Sequence, residues 1–127
     1  MPHLTLETSA NIDQEIQTKE LFSELHELLA SAADLDIENC KSRLVRLDKN
    51  YIGRGEPQNA FVHLEIRLLA GRSPELKGRI GRECLNFLES YFSSSAADHA
   101  LQITVEIVDL ERHAYFKVPG GSLAIPN

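Results

Sequence analysis

The sequence predicts an α+β fold, in which two β-α-β units form one four-stranded mixed sheet with two helices on one face. Short stretches of alternating apolar and polar residues, typical of half-buried strands, recur along the chain. Two longer stretches repeat their apolar residues at helical spacing. The order strand, helix, strand occurs twice, with an offset of about 60 residues between the two occurrences, well beyond the commonest short repeat periods.

The first unit begins almost at the amino terminus. Residues 3–8 alternate and predict a short strand, which a polar linker joins to a helix with Thr18 as the expected N-cap. Residues 42–48 predict the second strand. The segment 50–59 contains two Gly and one Pro, and therefore predicts the clearest loop of the chain.

The second unit repeats this order. Residues 60–69 show the strongest strand alternation, and Ser73 followed by Pro74 is a favourable helix start, because Ser caps the helix and Pro fits its first turn. Residues 101–107 alternate as the fourth strand. We also expect a short strand at 115–118.

Length and composition indicate one ordinary folded domain over residues 1–127, made of two pseudo-repeats at about 2–55 and 59–118. The net charge of −6 argues against a general nucleic-acid binder, and no apolar run approaches the about 18 residues of a membrane helix. Cys40 and Cys84 lie far apart, which favours a cytoplasmic protein with free thiols. No metal-ligand spacing of the histidines and no phosphate-binding Gly-rich loop are evident, so the residues indicate no metal site.

Parallel strands joined by right-handed crossovers place both helices on one face of the sheet. The other face carries a mixed set of side chains, among them Phe61 and His63, and no helix remains to cover it. We therefore expect a homo-oligomer that packs through this face. His63 is interpreted as an interface histidine rather than a catalytic one.

Pro2 is the first candidate for chemistry. Removal of Met1 would leave a rigid secondary amine at the start of a strand, which is a strong base and a good nucleophile. For base catalysis near neutral pH, burial and nearby cations must lower its pKa. The alternative is that many proteins begin Met-Pro without functional consequence.

Three cations are expected near Pro2. Lys41 and Arg43 stand at the start of the second strand, and parallel strands begin at the same end of a sheet. Arg72 follows the third strand and joins them if the two units run antiparallel, beside a helix amino terminus that favours anions. Each cation alone could be a solvated surface charge. Together they suit an anionic substrate that loses a proton next to a carbonyl group.

Phe61, Tyr115 and Phe116 could form apolar walls of such a pocket, although core or interface packing is the simpler role for all three.

At this point the sequence resembles the 5-carboxymethyl-2-hydroxymuconate delta-isomerase family of the tautomerase superfamily, over nearly the whole chain. The resemblance rests on the following segments: Met1-Pro2-His3, Ser42-Arg43 with Asp48, Ala60-Phe61-Val62-His63, Gly71-Arg72-Ser73, Glu106-Ile107 with Leu110, and Phe116-Lys117. It implies a tautomerase-like fold, a homotrimer, no cofactor, and an isomerase of bacterial homoprotocatechuate degradation that acts on a polycarboxylate.

The resemblance also implies roles for individual residues. Pro2 matches the general base of the keto-enol isomerisation, and Arg72 matches the arginine that binds or polarises the substrate. Lys41 stands where the family has arginine, and it keeps the charge but loses the bidentate fork. Arg43 matches. Two alternatives stay open: a tautomerase of a different keto acid, and a non-catalytic regulatory trimer that binds a small anion.

Overall fold

The computed structural model describes residues 1–120. The four strands are β1 (His3–Ser9), β2 (Lys41–Leu47), β3 (Asn59–Leu69) and β4 (Ala100–Leu110). The helices are α1 (Thr18–Ala33), α2 (Pro74–Tyr91) and the short α3 (Ser93–Asp98). Single 3-10 turns lie at Ile37–Asn39 and Arg112–Ala114.

The strands form one mixed sheet in the order β2-β1-β3-β4. β1 is parallel to β2, β3 is parallel to β4, and the two pairs meet antiparallel at β1 and β3. The predicted fold class is therefore confirmed. His3, the first residue of β1, pairs with Lys41 on one side and with Arg67 on the other, so the start of β1 meets the start of β2 and the end of β3.

The core lies between the sheet and the two long helices. The alternation predicted for β3 is confirmed, because every second residue of that strand is fully buried. Residues from the sheet and from both long helices share one apolar cluster, which includes Leu6, Leu25, Leu64, Ile80 and Leu88. The opposite sheet face is half-buried or exposed in the protomer, and we call it the open face.

The connection from β3 to α2 shows how the sequence shapes the sheet end. Gly71 has a φ of 125°, a left-handed backbone conformation that residues other than glycine rarely adopt. Ser73 then caps α2, because its Oγ accepts a hydrogen bond from the Leu76 N–H at 3.1 Å. The expected cap of α1 is wrong: Thr18 is the first helical residue, and Gln17 at the cap position makes no side-chain capping bond.

The carboxy-terminal segment departs from the sequence prediction. The strand expected at 115–118 is absent from the described structure, and the segment is held by side chains instead of a backbone ladder. The short helix α3 was not anticipated. Within residues 1–120 no helix is long and apolar enough to span a membrane. The last part of the predicted domain, 121–127, lies outside the described residues, so a single two-repeat domain over the whole chain stays a prediction.

Candidate active site

The polar site that the sequence predicts lies at the start of β1. Pro2 is buried, and its carbonyl oxygen accepts a hydrogen bond from the Lys41 N–H at 3.0 Å. This bond continues the β1–β2 pairing by one residue beyond His3. The backbone of Pro2 is therefore held by the sheet, as a group with a directed role requires.

Asn39 gathers three nitrogen groups around this position. The Met1 amine donates to its carbonyl oxygen at 2.7 Å, and Lys41 Nζ donates to the same oxygen at 2.9 Å. Lys117 Nζ donates to Asn39 Oδ1 at 2.9 Å. The 3-10 turn Ile37–Asn39, which precedes β2, presents both acceptor atoms. Two lysines thus flank the amino terminus from opposite ends of the chain.

These surroundings change the basicity of an amine at this position. The pKa of the Met1 amine falls from 8.0 to about 6, first because of burial, then because of the hydrogen bonding and charge of Lys41, and then because of the charge of Lys117. An amine with such a pKa is mostly unprotonated at neutral pH. The environment is that of a nitrogen base rather than of a permanently charged terminus.

His3 connects a third cation, Arg43, to the site. Arg43 Nη2 lies 2.8 Å from His3 Nδ1, and His3 Nε2 lies 2.8 Å from Tyr115 Oη. The His3 and Tyr115 rings meet edge to face, with centroids 5.8 Å apart. Burial lowers the pKa of His3, and the positive charge of Arg43 lowers it further. His3 is therefore a neutral imidazole at pH 7.

The charge balance at this end of the sheet is positive, although the whole chain is acidic. Among residues 1–120, Lys41, Arg43 and Lys117 form no ion pair with a carboxylate. Arg67, which pairs with His3 across the sheet, is partly neutralised by Glu65 at 3.8 Å. An anion that approaches this end meets three uncompensated cations.

The structure also brings Arg72 to this end of the sheet. Its Nη1 donates to the Leu69 carbonyl oxygen at 2.9 Å, and Leu69 lies two residues beyond Arg67, the partner of His3. Arg72 is half-buried. The capped amino terminus of α2 follows it directly.

The two phenylalanines predicted for the site lie at opposite ends of the protomer. The Phe61 N–H donates to Ser9 Oγ at 3.0 Å, at the far end of β1, about 20 Å along the strand from Pro2. The protomer alone does not bring Phe61 to Pro2. Phe116 lies between Tyr115 and Lys117, which both contact the site, and its ring is 86% exposed.

Asn39, Lys117 and the polar roles of His3 and Tyr115 escaped the sequence analysis. Their contacts join segments up to 112 residues apart, and no local pattern marks them. Phe116-Lys117 was among the segments that carry the family resemblance, but this gave no information about the contacts of Lys117. Within the described part of the chain, no three His, Cys, Asp or Glu side chains are grouped to hold a metal ion.

Comparison with known proteins shows the family to which the chain belongs. The family model of 5-carboxymethyl-2-hydroxymuconate isomerase matches residues 2–119. The chain is 27% identical over 117 residues to the 5-carboxymethyl-2-hydroxymuconate Delta-isomerase of Escherichia coli, covering 92% of this chain and 93% of that protein.

Solved structures agree with this assignment. A 5-carboxymethyl-2-hydroxymuconate isomerase from Deinococcus radiodurans superposes with a TM-score of 0.83 at 30% identity, covering 92% of this chain and 88% of that one. A fused 4-OT protein, described as a symmetric trimer, has a TM-score of 0.71 at 16% identity, with 93% and 92% covered, and shows the shared tautomerase fold alone. The chain belongs to the 5-carboxymethyl-2-hydroxymuconate isomerase family, and the prediction that it is an isomerase of the tautomerase superfamily is confirmed.

Proposed function

We propose that this isomerase uses Pro2, freed by removal of Met1, as the general base in the keto-enol tautomerisation of a 2-hydroxymuconate-type polycarboxylate. The observation that carries the proposal is the lowered pKa of the amine at the start of β1, between Lys41 and Lys117. The same surroundings would act on the prolyl amine of the processed chain. A base that is free at neutral pH is what the reaction needs.

The proton transfers balance as follows. The unprotonated Pro2 nitrogen takes the proton of the enol hydroxyl, and the electron pair of that O–H bond forms the carbonyl double bond. The double bonds shift along the conjugated chain, and the protonated Pro2 nitrogen gives its proton to a distant carbon, which yields the unsaturated ketone and restores the free amine. With Met1 attached, the nitrogen lone pair is delocalised into the peptide bond, and Pro2 cannot act as a base.

The cations supply recognition of the substrate carboxylates. Lys41, Arg43 and Arg72 lie at the end of the sheet that holds Pro2. A guanidinium can bind a carboxylate with two parallel hydrogen bonds, whereas Lys41 offers a compact point charge. A negative charge that develops on the enol oxygen is stabilised by the same groups. Phe116, an exposed residue between Tyr115 and Lys117, is proposed as an apolar contact of the substrate.

We further propose that the working unit is a homotrimer that packs through the open face. Its support is the uncovered mixed face of the protomer and the trimeric description of one structural relative. Phe61 would contribute to a Pro2 site only from a neighbouring subunit, because it lies at the far end of β1 in its own. Light scattering should give three times the protomer mass, and a stable monomer at micromolar concentration would contradict the trimer.

The wider setting of the reaction follows from the family. We propose a cytoplasmic role in the bacterial degradation of homoprotocatechuate, without a cofactor. A second candidate, tautomerisation of a different keto acid, is favoured by Lys41, which cannot reproduce the bidentate contact of an arginine. Relative kcat/KM values for 2-hydroxymuconate and phenylpyruvate would separate these two substrates.

The test of the base compares chains that differ only at the amino terminus. One retains Met1, and the other has lost it, as verified by mass spectrometry. Ultraviolet absorbance follows the loss of the 2-hydroxymuconate enol. We expect activity only in the processed chain, and a large loss in its Pro2→Ala variant. Equal rates with and without Met1 would refute the proline base, and binding without turnover in either chain would favour the regulatory alternative.

A further inference from the structure

Three side chains on the open face form a continuous hydrogen-bonded row that the proposed proton transfer does not use. The row runs from Arg43 through His3 to Tyr115, with both links at 2.8 Å. A guanidinium has only donors, so His3 Nδ1 must be the acceptor in the first link. The proton of the neutral imidazole is then on Nε2, which donates to Tyr115 Oη.

In this arrangement the hydroxyl hydrogen of Tyr115 remains available for a further hydrogen bond. Its oxygen already accepts from His3, so its own hydrogen must be donated elsewhere. Among residues 1–120 the Tyr115 hydroxyl makes no second hydrogen bond that would engage this hydrogen. The Tyr115 ring is half-buried, and Lys117, two residues further along, binds Asn39 beside the amino terminus. The free hydrogen therefore belongs to the same cationic surface as Pro2.

We propose that Tyr115 donates its hydroxyl hydrogen to an oxygen of the bound substrate, and that His3 and Arg43 are positioning residues that hold this hydroxyl as a donor. The identity of the substrate rests on the proposed function, whereas the direction of the row does not. Arg43 then differs from its expected role as a direct carboxylate ligand, because its Nη2 already donates to His3 Nδ1.

The row has a chemical advantage over a free tyrosine. A phenol that accepts no hydrogen bond can turn either its oxygen lone pair or its hydrogen towards a ligand. Tyr115 Oη already accepts a hydrogen bond from His3 Nε2–H, so the hydroxyl favours a ligand that accepts its hydrogen, such as a carboxylate or carbonyl oxygen. The nearby positive charge of Arg43 strengthens the chain of donors by polarisation.

The decisive experiment is a double-mutant cycle in the processed protein. Tyr115→Phe removes only the donor, and we expect it to lower kcat/KM for 2-hydroxymuconate about tenfold, mainly through KM. His3→Ala and Arg43→Met should each cause a similar loss alone, and little further loss when combined with Tyr115→Phe. Arg43→Lys, which keeps a donor for His3 Nδ1, should recover part of the activity. Tyr51→Phe, at an exposed tyrosine outside the row, is the matched control.

Two further measurements separate positioning from folding and from the proposed function. The ¹⁵N shifts of His3 should show the proton on Nε2, and this preference should weaken in Arg43→Met. Calorimetric binding of cis,cis-muconate, a dicarboxylate without the enol hydroxyl, should weaken about tenfold in Tyr115→Phe even if the protein turns over no enol.

Wild-type affinity and kcat/KM in Tyr115→Phe would overturn the donor role and leave the proline base intact. Fully additive losses in the double variants would overturn the positioning role of His3 and Arg43. If the wild type neither turns over 2-hydroxymuconate nor binds cis,cis-muconate, the proposed function and this inference both fail.

Discussion

Replacement of Lys41 by methionine should raise the pKa of the amine at the start of β1. The Met1 amine and Lys41 Nζ lie 2.7 and 2.9 Å from the same carbonyl oxygen, so the two nitrogens are at most about 5.6 Å apart. Two like charges at this distance repel by about 3 kcal/mol at an effective dielectric of 20, and by about 0.7 kcal/mol in water. These limits correspond to pKa changes of about 2 and about 0.5.

Lys41 is exposed, so solvent screening moves the expected result towards the lower limit, and we expect the pKa to rise by about 1. The sign follows from the cause: removal of a neighbouring positive charge makes the protonated amine less unfavourable. In the chain that retains Met1, the Met1 Cα and Hα shifts report the titration directly. In the processed chain, the ascending limb of kcat/KM against pH should move to higher pH in Lys41→Met.

Lys49→Met is the matched control, because Lys49 is an exposed lysine beyond the opposite end of β2. It should leave the pKa unchanged. The difference between the two variants should shrink when ionic strength rises, since partly exposed charges are screened by salt. An identical pKa in the wild type and in Lys41→Met would refute the argument that Lys41 tunes the base. It would leave burial and the charge of Lys117 as the causes of the lowered pKa.

Three further predictions concern Arg72 and the helix α2 that follows it. Arg72→Ala should lower kcat about a hundredfold. Loss of its bond to the Leu69 carbonyl oxygen should cost about 1 kcal/mol of unfolding free energy, and a large stability loss with normal activity per folded molecule would contradict its role. Cys84, buried on α2 with its pKa raised to about 12 by burial first and then by the charge of Glu83, should not react with a disulfide reagent until the protein unfolds, and fast labelling of the native protein would count against this. Ser73→Ala removes the cap of α2 and should cost about 1 kcal/mol in denaturant unfolding, whereas an unchanged midpoint would show that the cap contributes nothing.

The fold could be predicted from local periodicity because each element alternates or repeats on its own. Strand β3 has eleven residues, and its buried set follows the alternation of the sequence. The helix α3 could not be predicted in this way. Its residue Ser95 donates to the Gln14 side chain at 2.6 Å, a contact across 81 residues, and a serine-rich segment alone gives no helical periodicity.

The site was predictable where topology alone brings residues together. Parallel pairing places Pro2 beside Lys41, and antiparallel pairing brings the end of β3 to the same edge. The contacts of the tail were not predictable, because they depend on side chains that meet only in the folded chain. The prediction of a strand at 115–118 is wrong, but the side chains of this segment do alternate. Tyr115 and Lys117 contact the site, whereas Phe116 between them is exposed.

In the proposed mechanism the cations around Pro2 have two effects: they lower the pKa of the amine, and they bind the carboxylates of the substrate. They lower the pKa of the amine and so keep it unprotonated, which also makes it a weaker base. A polycarboxylate that binds to Lys41 and Lys117 neutralises the same charges, so the pKa of the amine should rise in the complex. By reciprocity, substrate binding and protonation of the amine favour each other. The pKa seen in kcat, which reports the complex, should therefore exceed the pKa seen in kcat/KM, which reports the free enzyme. Equal values in the two profiles would show that the substrate carboxylates do not bind to the cations that tune the base.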